Sequence, residues 1–445
     1  MAFHTAFRAA SILLVTLLLS LPAHATSLMR DADMEYALRE VATPVLKAAG
    51  LSPARVKILV IDNGSPNAFV VSNDAIFIHS GLLSRMDNAA MLQGVIAHEA
   101  AHIANGHITR RLTNLGNART AAGLGLALAV AAATAGAGDA AAGIAIGTQS
   151  SAQRSFLAHT RAEESSADQS ALRYLRSAGI SPTGLLQVME LFRGQEHLSG
   201  ARQDPYVRSH PLSRDRVRVV EGFVAAYGDT RAEDPTTAYW FARAKGKLTA
   251  YQRSARWTLT RAGESGYKDV RLMREAIAHH KQSRTRKALQ AVDQAIALRP
   301  TDPFFHDLKG EILMETRNFA AAANVYGRAV RLAPRDGLVL AGYGRALLAS
   351  GNVPAARDAL EKSRSIDFRD GSMLRDLSVA YAKSGQTGMA ALVTAERYAL
   401  VGRLDDAGIH AKRATDLLPT GSGSWQRAQD VLIAFERAEK QKKRR

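Results

Sequence analysis

Leu92-Gln93-Gly94-Val95-Ile96-Ala97-His98-Glu99-Ala100-Ala101-His102 is the stretch on which the reading of this chain turns. Its apolar lead-in and small residues suit a buried helix. On a helix, positions four apart share one face about a turn apart, so both imidazoles can reach a single zinc ion. Glu99 stands beside the first imidazole, where a carboxylate can take a proton from water at the metal and pass it to a leaving amine. The competing reading is a chance pattern on a surface helix. A third ligand, a cellular address and a substrate site would separate the two.

The address comes from the start of the chain. Arg8 precedes the uncharged apolar stretch Ala9 to Leu21, and Pro22-Ala23-His24-Ala25 closes it with small residues. This predicts a secretory signal peptide over residues 1–25, because so short an apolar run falls below the ~20 residues a membrane span needs. The expected compartment is the bacterial periplasm. The chain has no Cys, which excludes disulfides, zinc thiolates and a cysteine nucleophile. A formal charge of +17 and the terminal Lys440-Gln441-Lys442-Lys443-Arg444-Arg445 invite a nucleic-acid reading, but export argues against it. Anionic lipid headgroups, lipopolysaccharide or an acidic partner fit an exported basic protein better, and the tail itself also reads as a solvated end.

Beyond the signal, an amphipathic helix is expected from about Met29 to Ala49. Val56 to Ile61, Ala68 to Val71 and Ala75 to Ile78 are short β-rich runs separated by Asn63-Gly64 and Ser72-Asn73-Asp74, and they read as a small antiparallel sheet. Residues 120–147 collapse to Ala and Gly with some Leu, Val and Ile. Two small-residue helices are expected there, packed beside the cleft or touching a membrane surface; the hydropathy is modest for a true span. Downstream, Thr160-Arg161-Ala162-Glu163-Glu164-Ser165-Ser166-Ala167-Asp168 has helical periodicity into Leu172 and Leu175. Glu164 and Asp168 share a face, so one can ligate zinc while the other hydrogen-bonds the free nitrogen of a ligating imidazole. An ordinary acidic face fits Glu163 better than Glu164. His107 lies five residues beyond His102, off the metal face, and reads as a supporting or structural group.

In order along the chain, Asn67-Ala68-Phe69, Gly81-Leu82-Leu83, the His98–His102 motif with its Gly94-Val95-Ile96-Ala97 lead-in, Glu164-x-x-Ala167-Asp168, and His210-Pro211-Leu212 with Arg216 resemble the gluzincin peptidases. That family includes HtpX, the CAAX prenyl proteases and BepA. The resemblance covers about Met29 to Gly228. It implies that Glu164 completes the ligand set for one Zn2+ per chain with His98 and His102, and that Asp168 supports a ligating His. Arg216 and His107 are assigned around that set. It also implies that Asn67, Ala68 and Phe69 form an edge strand holding substrate backbone by β-addition, with a buried strand as the alternative. For His210 two roles stay open: an autoinhibitory latch that fills the zinc shell, since an open position makes a zinc site catalytic, or an oxyanion stabiliser. Ala100-Ala101 departs from the Leu-Gly common before the family's second His, a small change for a buried helix.

The C-terminal third has a different pattern. Pro300 and Pro334 are 34 apart, with Phe368 one period on; Ala288, Ala322, Ala356 and Ala390 keep the same step, as do Gly310 with Gly344 and Ala295 with Ala329. A 34-residue period with small residues at helix crossings is the tetratricopeptide signature, and stacked repeats present a concave surface to peptides or partner proteins.

The fold expected is therefore mainly α with a small β-sheet: a gluzincin metallopeptidase domain followed by an α-solenoid. The segments are a signal peptide (1–25), metallopeptidase domain (26–230), connecting helices (231–268), repeats (269–419), and C-terminal helix with basic tail (420–445). The architecture resembles that of the β-barrel assembly-enhancing proteases. It implies an exported zinc endopeptidase in outer-membrane protein quality control, peripheral at that membrane, with unfolded or misassembled outer-membrane proteins as substrates. The repeats would recruit those substrates or the barrel-assembly machinery. The alternative is mainly a chaperone or scaffold whose protease site is latched or rarely used.

Overall fold

The computed structural model describes residues 28–110, 160–195, 198, 202–227 and 233–442. The signal-like segment and the Ala/Gly stretch at 120–147 lie outside these residues. Among the described residues no helix is long and apolar enough to cross a membrane.

The chain enters through a two-residue strand β1 (Leu28–Met29) and helix α1 (Ala32–Ala48), capped by Asp31, whose carboxylate accepts the Met34 N–H. Strands β2 (Lys57–Ile61), β3 (Ala68–Ser72) and β4 (Ala75–His79) complete a four-stranded sheet in the order β1-β2-β4-β3. The sheet is mixed, not antiparallel: β2 pairs in parallel with β4, while β1–β2 and β3–β4 are antiparallel. The chain leaving β2 skips one strand position to lay β3 on the far edge, then turns back tightly into β4. The strands are buried on both faces, so no alternation revealed their partners.

Helix α2 (Ser80–Arg85) leads to α3 (Ala89–Ala104), apolar nearly all round and buried along almost its whole length, as a central core helix must be. Asn88 caps it, and Glu233 accepts the Ala89 N–H. Helix α4 (Arg161–Ala178) packs along α3, with α5 (Thr183–Leu191) crossing it. The crossing is glycine-dependent. A Cβ on Gly94 would lie 2.8 Å from Leu185 Cα, and one on Gly184 would lie 2.1 Å from the Ala90 carbonyl oxygen. The short α6 (Pro205–Ser209) leads into α7 (Arg214–Tyr227), which packs on α4 and α5.

Helix α8 (Pro235–Gln252), then α9 (Ala255–Thr260) and a 3₁₀ turn (Ala262–Ser265), lead into ten further helices. These are α10 (Lys268–Lys281), α11 (Thr285–Leu298), α12 (Pro303–Glu315), α13 (Phe319–Leu332), α14 (Gly337–Ala349), α15 (Val353–Ile366), α16 (Gly371–Lys383), α17 (Thr387–Leu400), α18 (Leu404–Leu417) and α19 (Gly423–Lys442). Consecutive helices pack as hairpins. Ala288, Ala322 and Ala356 are fully buried at the crossings, whereas Ala390 is half-buried. Gly310 and Gly344 are small because the Tyr326 ring and the Leu360 side chain lie where their Cβ atoms would be.

The two parts meet through α8, whose Arg243 and Lys247 sit one turn apart and fully buried. Arg243 pairs with Asp33 of α1 (2.6 Å) and with Asp302, the cap of α12; Lys247 pairs with Asp31 (2.8 Å). Further out, Asp367 accepts from Arg30 (2.7 Å) and Lys57 (2.5 Å), and Arg369 reaches Asp74 (2.6 Å).

Candidate metal centre

His98 and His102 project from α3 into a pocket closed by α4 and the segment after α6. The Thr160 hydroxyl accepts the Glu163 N–H, and the Glu163 carboxylate turns back to accept the Thr160 N–H at 3.0 Å. This capping box uses up Glu163 and leaves Glu164, the next residue round the helix, aimed at the imidazoles.

Four donors converge: His98, His102, Glu164 and His210, all buried. His98 Nε2 lies 3.1 Å from His102 Nε2 and 3.3 Å from His210 Nδ1. Glu164 lies 3.3 Å from His102 Nε2, 3.4 Å from His98 Nε2 and 3.1 Å from His210 Nδ1. Zinc–ligand bonds of about 2.0–2.1 Å in a tetrahedron place donors roughly 3.3 Å apart. These spacings among His98, His102, Glu164 and His210 fall close to that value, and imidazole nitrogens with a carboxylate suit that ion.

The outer contacts fix which nitrogen faces inward. Asp168 lies 2.9 Å from His98 Nδ1, leaving Nε2 for the cage; His107 Nδ1 lies 2.9 Å from His102 Nδ1 and does the same there. His210 donates from Nε2 to the Ala68 carbonyl at 3.0 Å, which turns Nδ1 inward. Arg216 binds Asp168 through two nitrogens (2.6 and 2.9 Å) and Glu164 at 2.7 Å, so one guanidinium locks both carboxylates. Burial works against charge throughout, yet His210, His98 and Arg216 hold the Glu164 carboxyl well below the usual range. Against the same burial, Glu164 and Asp168 push His98 up to about 10, whereas burial wins at His102 and brings it down to about 3.

Glu99 faces the same space. Neither of its buried oxygens accepts a hydrogen bond among the described residues, its nearest partner being His210 Nε2 at 3.3 Å, and burial pushes its carboxyl up. An uncommitted buried carboxylate beside a cage of metal donors is placed to exchange a proton with a molecule entering it.

A family model for peptidase family M48 matches residues 30–224. The Escherichia coli metalloprotease LoiP is 30% identical over 212 residues, covering 44% of this chain and 74% of LoiP. The chain belongs to peptidase family M48. The Escherichia coli β-barrel assembly-enhancing protease is 25% identical over 160 residues, 36% of this M48 chain, which spans only about a third (32%) of that relative. A tetratricopeptide-repeat model matches residues 313–380. Among solved structures, the tetratricopeptide protein YrrB aligns at 14% identity over 39% of this chain and 91% of its own, with a TM-score of 0.32.

The structure brings together His98, Glu99, His102, Glu164, Asp168, His107, His210 and Arg216. The Asn67-Ala68-Phe69 strand is placed differently from a simple open edge. β3 is the edge strand, but the Ala68 carbonyl is taken by His210, Asn67 Oδ1 accepts from Ser209 Oγ at 3.0 Å, and Phe69 is buried against Phe77. Tyr206 and Ser209 escaped the sequence reading. Tyr206 stacks on Phe192, packs 4.9 Å from the His210 ring, and donates its N–H to the Pro66 carbonyl. Its spacing four residues before His210 on a short helix was the available signal.

Proposed function

We propose that this M48 peptidase is an exported zinc-dependent endopeptidase acting in outer-membrane protein quality control. The observation that carries the chemistry is the buried cluster of His98, His102, Glu164 and His210, with ligand atoms all within 4.8 Å of one another, beside Glu99, whose oxygens accept no hydrogen bond among the described residues. His98, His102 and Glu164 would hold the ion. Bound there, zinc supplies Lewis acidity toward a peptide carbonyl and makes water a competent nucleophile near neutral pH. Glu99 takes the proton of the attacking water and delivers it to the leaving amine nitrogen, a role its raised pKa suits. Asp168, His107 and Arg216 keep the imidazoles and Glu164 oriented without touching substrate.

His210 acts as a latch in this reading. With Nδ1 at cage distance and Nε2 on the Ala68 carbonyl, it occupies the fourth position and a backbone acceptor of the edge strand together. Substrate entry requires it to leave both. The closed shell also favours the second reading, a chaperone or scaffold whose protease site is rarely used. The signal-like start and the name of the β-barrel assembly-enhancing protease support the periplasmic role, with substrates or the barrel-assembly machinery recruited by the repeats.

The deciding experiment compares Glu99→Gln and His210→Ala with wild type. Glu99→Gln should keep one zinc per chain and lose ~10²–10⁴-fold in peptide cleavage, trapping outer-membrane proteins in crosslinked periplasmic pull-downs. His210→Ala should raise cleavage; a fall would assign His210 to transition-state stabilisation. Full cellular function of Glu99→Gln would establish the scaffold reading, and recovery of cytoplasmic proteins alone would refute the location.

A further inference from the structure

Away from the cage, a cleft of about 350 Å³ opens where α8 and α9 meet the first repeat helix α10. Two cations line it, Arg274 and Lys245, together with the exposed carboxylates Asp87, Glu233 and Glu264. Arg274 is only 4% exposed; its Nη1 donates to the Arg261 and Ala262 carbonyls, while its Nε is buried without an acceptor among the described residues. Among the described residues no carboxylate lies within ion-pair distance of it, and Glu264 acts on it from further off. Lys245 donates to the Met86 carbonyl, and its nearest carboxylate is the exposed Asp87 at 4.0 Å. Burial lowers the pKa of Lys245 against the opposing charges of Asp87 and Glu264, and Arg274 lowers it slightly more, so the two cations share one electrostatic environment in which Glu264 acts on both. Gly246 lets α10 approach closely here: a Cβ there would stand 3.0 Å from Val270 Cγ1 and 3.4 Å from Arg274 Cδ.

A buried guanidinium with a free Nε edge is costly unless an acceptor completes it. Its planar fork matches a carboxylate, which takes two parallel N–H bonds. The walls carry Trp257 and Tyr267, apolar faces suited to a neighbouring side chain, with the Arg274 guanidinium 5.9 Å from the Trp257 ring. Glu233, Glu264 and Asp87 stand on the rim, where they would repel a dianion or polyanion yet accept N–H groups of a peptide. We propose that this cleft binds a peptide carboxylate, the anion held between Arg274 and Lys245 and an adjacent apolar side chain resting on Trp257 and Tyr267.

The test uses the full-length chain with Glu99→Gln, which keeps peptides uncut, titrated calorimetrically with acetyl-Gly-Ala-Leu as free acid and as C-terminal amide, with acetyl-Leu-Glu-Ala amide, and with inorganic phosphate. The free acid should bind and the amide should not. Lys245→Gln should weaken the acid at least tenfold, and Arg274→Lys should do so too by removing the fork. Binding of the internal glutamate peptide would identify a side-chain source, and its absence a chain terminus; either supports the site. Because Arg274 ties two carbonyls and Lys245 ties one, an unchanged thermal midpoint of Lys245→Gln separates loss of binding from loss of fold. Equal binding of acid and amide, an unchanged affinity in Lys245→Gln, or phosphate binding tighter than the acid would overturn the proposal.

Discussion

Arg243→Met tests whether the peptidase body and the repeats are held together by a buried charge network. Arg243 is fully buried, with Nε 2.6 Å from Asp33 and two further bonds to Asp302; its guanidinium also packs 4.3 Å from the Phe305 ring. At an effective dielectric near 20, each close pair contributes about 4 kcal/mol of attraction, most of it offset by the desolvation of the charges. Removing one partner does not restore that desolvation. Among the described residues Asp33 would keep only Lys247, at 3.6 Å, and Asp302 would lose the Arg243 cation while still capping α12. The expected loss is about 3–5 kcal/mol. It is read as a lower urea midpoint by tryptophan fluorescence, with Trp240 beside the network as reporter, and as faster limited proteolysis between α7 and α10. The triple variant Arg243→Met/Asp33→Asn/Asp302→Asn removes the stranded charges and should recover much of the loss. A single variant within 1 kcal/mol of wild type, or a triple no more stable than the single, would refute the reasoning.

Asp367 gives a pH signature. Although burial opposes its charge, Arg30 and Lys57 lower its pKa to about 2, below the unfolded value near 3.8. A depressed carboxylate stabilises the fold above its unfolded pKa and loses that contribution as pH falls through the folded one, so about 2 kcal/mol should vanish between roughly pH 4 and pH 2. Urea titrations across that window should show a shallower decline for Asp367→Asn; parallel curves would contradict it. Gly184→Ala places a methyl against the Ala90 backbone, which cannot swing aside, so destabilisation at the upper end of ~1–3 kcal/mol is expected, and, on the proposed function, displacement of His98 and His102 should show as weaker zinc retention under chelator. An unperturbed thermal midpoint would show that α5 moves freely.

Much of this molecule was legible from sequence because its signals are local. The i, i+4 imidazoles need only a helix, and the Thr160–Glu163 capping box, which separates Glu163 from Glu164, is itself a sequence pattern. The 34-residue step of small residues follows from helix pairs that must cross closely. Asp302, Asp336 and Asp370 keep that step too, each accepting N–H groups at the start of a repeat helix. Ala390 fits the period in sequence yet is half-buried, because the last pairs pack on Gly388 and Ala391 instead.

By itself, then, the sequence determined the helix that carries His98, Glu99 and His102, the third carboxylate through its likeness to a family, and the periodic solenoid. Tertiary structure alone decided the parallel pairing of β2 with β4, because strands buried on both faces look the same whichever neighbour they take. It alone brought Arg216 onto both Glu164 and Asp168. It alone set His210 against Ala68 and seated Arg243 and Lys247 among the aspartates of α1 and α12. Those contacts join residues dozens to hundreds of positions apart, and a buried charge acquires its partner only when separate elements exclude water together.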